Sequence, residues 1–192
     1  MDPTRVAQLV SDATRLPLLG VPLFLVVGVV GAGWGGLLWA VLCLLLTSGL
    51  SLAYLAYLAG TGKVRDPGKI PQQERVWPLR VVALSHTGTW VLVTLLGAPA
   101  LLRTVLLSYS LATVAFALLT PFLKLSLHAA GVAGASVCLI FISGVWGALV
   151  IPILPLVWWA RMVLGRHSTL ELALGTLVGG GLTWVAFHFL AS

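Results

Sequence analysis

Apolar runs long enough to cross a lipid bilayer recur along almost the whole chain, at about 16–32, 35–59, 80–98, 100–122, 127–147, 148–162 and 168–190. A helix rising 1.5 Å per residue needs about 17 to 25 apolar residues to span the hydrocarbon. Lipid offers no hydrogen-bond partner, so each run must satisfy its own backbone, and a helix does this within a single segment. Charged residues make up 8% of the chain and hydrophobic ones 59%, with a mean hydropathy of +1.07. Soluble domains are usually about 25% charged. The expected fold is all-α, a polytopic transmembrane helical bundle of six to seven spans. Pro17 and Pro22 weaken the first run and Pro152 and Pro155 the sixth, and failure of either gives the lower count.

The breaks between runs are of two kinds. Gly31-Ala32-Gly33-Trp34-Gly35-Gly36, Gly97-Ala98-Pro99-Ala100 and the region of Gly147 are tight and predict helical hairpins. The more polar breaks, at 60–79, 123–126 and 163–167, then share one side of the membrane. Arg5, Arg15, Lys63, Arg65, Lys69, Arg75, Arg80, Lys124, Arg161 and Arg166 fall on that side, and Arg103 alone lies near the opposite turns. The positive-inside rule makes the basic side cytoplasmic, in a bacterial or archaeal cytoplasmic membrane.

Residues 1–15 carry Asp2, Arg5, Asp12 and Arg15 and lack a continuous apolar core, so no removable signal peptide is expected there. Val6, Leu9, Val10, Ala13 and Leu16 recur at helical spacing, which suits an interfacial N-terminal segment or an ordinary solvated helix. The expected organisation is that segment, 1–15, followed by a single transmembrane domain, 16–192. Cys43 and Cys138 lie within apolar runs and read as packing residues. The net charge of +6 suits anionic head groups or an anionic lipid substrate. Nucleic acid is not an expected partner, because the basic residues are confined to short loops.

Against this background Glu171 stands out, because no other acidic residue follows Glu74 and it lies just inside the last apolar run. Ionisable groups near a span are functional candidates. One helical turn before it is His167, and Arg161 precedes that, giving Arg161, five residues, His167, three residues, Glu171. Two further polar clusters lie on the same expected side: Lys69-Ile-Pro-Gln-Gln-Glu74-Arg75-Val-Trp-Pro78 and Lys124-Leu-Ser126-Leu-His128-Ala-Ala-Gly.

In motif order and spacing these clusters resemble the signature of the type 2 phosphatidic acid phosphatase superfamily, integral-membrane enzymes related to vanadium haloperoxidases. The family pattern is a lysine with a downstream Arg-Pro, then Pro-Ser-Gly-His, then Ser-Arg, five residues, His, three residues, Asp. The resemblance covers about 63–181, and the third motif carries it best. The departures are Ala160 for Ser, Leu125 and Leu127 for the Pro and Gly flanking Ser126, and Glu171 for Asp. The interval from Lys69 to Arg75 is one residue short, and Val76-Trp77 intervene before Pro78. Lys63 or Arg65 could take the place of Lys69.

The resemblance implies a phosphatase whose nucleophile is His167, oriented by Glu171, with His128 protonating the leaving oxygen. Lys69, Arg75, Ser126 and Arg161 would hold the phosphoryl oxygens. Phosphoryl transfer needs this set of roles, since positioning and charge stabilisation dominate it. The scheme calls for no metal or cofactor, and no His/Cys/Asp/Glu cluster has metal-ligand spacing. Lys124 and Arg166 adjoin two motifs and are candidates for a second phosphate, as well as for plain loop charges.

The expected substrate is a lipid phosphate or diphosphate, preferably an isoprenoid one, with phosphatidate and phosphatidylglycerol phosphate as neighbours in class. The rivals are a phosphotransferase using the same histidine and a degenerate relative that only binds a lipid or a partner. Blander readings stand beside each residue: an anchoring ion pair for His167–Glu171, a helix N-cap for Ser126, and packing roles for His86 and His188. His167, Glu171, Gly175 and Gly179 recur every four residues, so the same face continues as Gly-x-x-x-Gly. The small-residue helix that begins near His128 is its expected neighbour.

Overall fold

The computed structural model describes residues 2–64 and 70–190, and all regular structure among them is helical. The helices are α1 (Pro3–Ala13), α2 (Leu16–Leu44), α3 (Leu50–Gly60), α4 (Gln72–Leu95), α5 (Ala100–Leu119), α6 (Leu127–Ser143), α7 (Ile153–Val163) and α8 (Thr169–Leu190). A π turn, Leu45–Gly49, joins α2 to α3, and a 3₁₀ segment, Gly144–Val150, leads from α6 towards α7.

Four segments have the length and hydropathy of a membrane span: Leu18–Gly60, Ala100–Leu119, Leu127–Val150 and Thr169–Phe189. They are compatible with a membrane protein, and exposed Leu38, Leu84, Leu118 and Leu177 suit a lipid-facing surface. The expected count of six to seven spans is not supported on these criteria. α4 is diluted by Arg80 and by the polar run Ser85-His86-Thr87-Gly88-Thr89, α7 is only 11 residues long, and the first two apolar runs fall within one apolar segment, Leu18–Gly60.

The chain divides into two compact units, Phe24–Lys124 and the remainder, Met1–Leu23 with Leu125–Ser192. In the Phe24–Lys124 unit α2 reverses where Ala32 leaves helical geometry and Gly33 takes φ 58°. A side chain at Gly33 would be strained there. The arms return so closely that a Cβ on Gly36 would overlap the backbone of Gly28.

The π turn widens the helix, and the Leu46 carbonyl accepts from Ser85 Oγ at 3.1 Å and Thr89 Oγ1 at 3.4 Å. These bonds tie the turn to α4. α4 and α5 form the expected hairpin through Gly97, φ 76°, and Pro99, and Thr87 and Ser110 share a 2.7 Å hydroxyl bond between them. His86 lies against Tyr109, with ring centroids 5.9 Å apart.

The second unit is organised by α6 against α8. A Cβ at Gly175 would overlap Ser126, and one at Gly179 would overlap the Ala130 carbonyl. The Gly-x-x-x-Gly face is therefore occupied by the expected neighbour, and the backbones approach as only glycine permits. Gly144, φ 56°, ends α6, and the chain folds back so that Gly147 abuts Leu139 and Ile140. α1 starts on an Asp2 cap, whose carboxylate accepts from Thr4 N–H at 2.9 Å, and it packs against α7. Its buried row is Ala7, Ser11 and Thr14, whereas Leu9 of the apolar stripe is 68% exposed.

Candidate functional site

Six of the residues singled out in the sequence belong to the unit that contains α6, α7 and α8: Ser126, His128, Arg161, Arg166, His167 and Glu171. The Arg161-to-His167 interval is set by a helix end. α7 stops at Val163, and Gly165 at φ 61° donates its N–H to the Met162 carbonyl at 2.9 Å. Arg166 N–H reaches back to the Arg161 carbonyl at 3.0 Å. This pair of bonds is a Schellman closure, which needs a left-handed residue after the helix. It returns the chain to the level of Arg161 before α8 begins.

α8 opens with a capping box. Ser168 Oγ accepts from Glu171 N–H at 3.3 Å, while the Glu171 carboxylate accepts from Ser168 N–H, also at 3.3 Å. The Ser-x-x-Glu signature was present in the sequence and supplies a structural reason for a carboxylate at this depth. The same oxygen, Oε2, lies 2.8 Å from His167 Nδ1. An ionised carboxylate can only accept, so the proton of a neutral imidazole sits on Nδ1 and the lone pair on Nε2. The His167 side chain is 2% exposed and that of Glu171 22%.

Arg161 lies in the last turn of α7 and is buried, at 4% exposure. Its Nη1 donates to Ser11 Oγ at 2.8 Å. A guanidinium taken from water must be partnered. His128, in the first turn of α6, has Nε2 3.1 Å from the Ser11 carbonyl. A carbonyl accepts only, which puts a proton on Nε2 and turns Nδ1 towards other partners. Arg161 and His167 both act on His128 at Coulombic range.

Ser126 is the N-cap of α6, accepting from Ala129 N–H at 3.4 Å, and its own N–H donates to the Glu171 carbonyl at 3.2 Å. The bland reading of this serine is thus realised, although its hydroxyl proton remains a donor. Arg166 Nη2 meets Gln8 Oε1 at 3.4 Å. Asp12, bonded to Gln8 and close to Arg15 and Arg166, has its carboxyl held below the usual range.

The first motif belongs to the other unit. Arg75, in the first turn of α4, donates from Nε to the Ile70 carbonyl at 2.6 Å. Lys124 is the last residue of that unit. Lys69 and its alternative Arg65 lie outside the described residues. Lys63, the other alternative, sits 5.6 Å over the Tyr57 ring. Trp158 donates from Nε1 to Thr176 Oγ1 at 3.2 Å, linking α7 to α8. His188 stacks on Trp184 at 4.8 Å.

Sequence reasoning missed Ser11. Nothing distinguishes a lone serine on an amphipathic helix, and only the α1–α7 packing reveals its two bonds. It also missed the capping role of Glu171, which the Ser168-to-Glu171 spacing could have supplied. Comparison with protein-family models, with curated proteins and with solved structures returned no match, so the chemistry is argued from this geometry and the motif resemblance alone.

Proposed function

We propose that the chain is a membrane lipid phosphatase acting through a phosphohistidine on His167. The observation that carries this reading is the His167 Nδ1–Glu171 Oε2 contact of 2.8 Å, in the same unit as Arg161 and His128. It leaves Nε2 as the nucleophilic nitrogen of a buried imidazole whose developing cation has an adjacent carboxylate.

Nε2 attacks phosphorus as the P–O bond to the lipid breaks. The leaving alkoxide takes a proton from the imidazolium form of His128, delivered from Nδ1 because Nε2–H is held by the Ser11 carbonyl. Water then cleaves the N–P bond, returning a proton to His128 and releasing inorganic phosphate. Arg161 and the Ser126 hydroxyl stabilise the phosphoryl oxygens. The motif resemblance alone assigns Arg75 and Lys69 to the same task. In the sequence Lys124 and Arg166 adjoin two of the motifs, and a role for either at a second phosphate favours isoprenoid diphosphates or monophosphates as substrates.

The topology that accompanies this reading has six to seven crossings, with the site at the cytoplasmic face. Positive-φ glycines support it: Gly33 and Gly144 interrupt long apolar segments, and Gly97 joins α4 to α5. The deciding experiment is a panel of lipid phosphates and diphosphates in detergent with the purified protein, reading free phosphate. Release by the wild type and its loss in His167→Ala is expected. Equal rates in the two would overturn the mechanism.

A further inference from the structure

α1 contributes a buried hydroxyl and a main-chain carbonyl to residues of two separate motifs. Ser11 is 2% exposed, its Oγ accepts from Arg161 Nη1 at 2.8 Å, and its carbonyl faces His128 Nε2 at 3.1 Å. One turn earlier Gln8 bonds both Arg166, at 3.4 Å, and Asp12, at 2.9 Å. One short helix thus meets three cations or potential cations of the site. Its packing row is Ala7, Ser11 and Thr14, so small polar residues face inward. The apolar residue Leu9 stays outside. A helix retained only for membrane attachment would need no hydroxyl on its packed face.

We infer that Ser11 is a positioning residue of the phosphoryl site, orienting Arg161 through its hydroxyl and His128 through its carbonyl, and that α1 is a working part of the site. This rests on the phosphatase reading. The guanidinium is planar, so fixing Nη1 on a buried acceptor restricts the orientation of the whole group. The carbonyl does the same for His128: with Nε2–H engaged, the ring cannot rotate freely, and Nδ1 is the nitrogen offered to the leaving oxygen. A pre-set guanidinium and imidazole act on the transition state more than on substrate binding.

The test is kinetic, on the full-length protein in detergent, with the lipid phosphate that the wild type turns over fastest. Ser11→Ala removes the acceptor, and Ser11→Cys keeps the volume while weakening it. Both should lower kcat about tenfold or more, the size of effect expected for losing a hydrogen bond to a charged group, with KM changed less than about threefold. Ser11→Thr keeps the hydroxyl and should restore most of kcat. In Arg161→Ala the Ser11→Ala change should add almost nothing, because the group it orients is gone.

Full kcat in Ser11→Cys would overturn the inference while leaving the phosphatase standing, since packing alone would then explain the buried serine. So would Ser11→Thr as impaired as Ser11→Ala. A wild type inert on every lipid phosphate would instead end the phosphatase reading and this inference with it. Melting curves for each variant separate a loss of orientation from a loss of fold.

Discussion

Glu171 works in two bonds at once, closing the capping box with Ser168 and receiving the proton face of His167. The two roles separate by substitution. Gln at this position can still accept from Ser168 N–H and from Nδ1–H, but it brings no charge to the imidazolium that the proposed mechanism forms. Glu171→Gln should therefore melt within about 1 kcal/mol of the wild type yet lose about 10- to 100-fold in turnover. Glu171→Ala should lose both the cap and the activity. A Glu171→Gln protein with wild-type kcat would reduce the residue to a cap. At this scale the His167–Glu171 contact was legible in the sequence, because one helical turn separates the two residues. Ser11 was not, since its partners are 117 and 150 residues away along the chain.

Among the elements, the crossing of α6 and α8 brings the Ser126–His128 segment beside Glu171. Its specification is local and readable: glycines every four residues on α8, with Ala129, Ala130, Ala133 and Gly134 on α6. Gly179 faces the Ala130 backbone without space for a methyl group, whereas a Cβ on Gly181 meets nothing within 4 Å. Gly179→Val should therefore destabilise the protein by about 1–3 kcal/mol through overpacking, and reduce turnover by separating the helices. Gly181→Ala should be neutral or gain up to about 1 kcal/mol from helix propensity. Unfolding of both variants in detergent checks the contrast, and equal stability would place the crossing elsewhere. The π turn was illegible by comparison. No residue between Leu45 and Gly49 announces it, and its logic appears only when Ser85 and Thr89 are seen donating to Leu46.

On the scale of the whole molecule, hydropathy gave an all-helical chain without difficulty, but the number of crossings does not follow from it. α4 and α7 fall short for different reasons, one from polar dilution that its hydroxyl bonds to neighbours offset, the other from length. Sidedness is open to a direct measurement because both native cysteines are buried, leaving a low labelling background. A single cysteine at Thr61 lies in one polar break and one at Phe122 borders the next, while single cysteines at Leu96 and Trp146 border the tight reversals; all four positions are exposed. A membrane-impermeant thiol reagent added to intact cells should label only Leu96→Cys and Trp146→Cys, and should reach Thr61→Cys and Phe122→Cys only after the membrane is opened. The positive-inside rule favours that pattern, since moving the breaks outward would carry most of the basic residues with them. Labelling of Thr61→Cys and Phe122→Cys from outside would invert the topology, and the proposed phosphoryl site would then face substrates delivered to the outer leaflet.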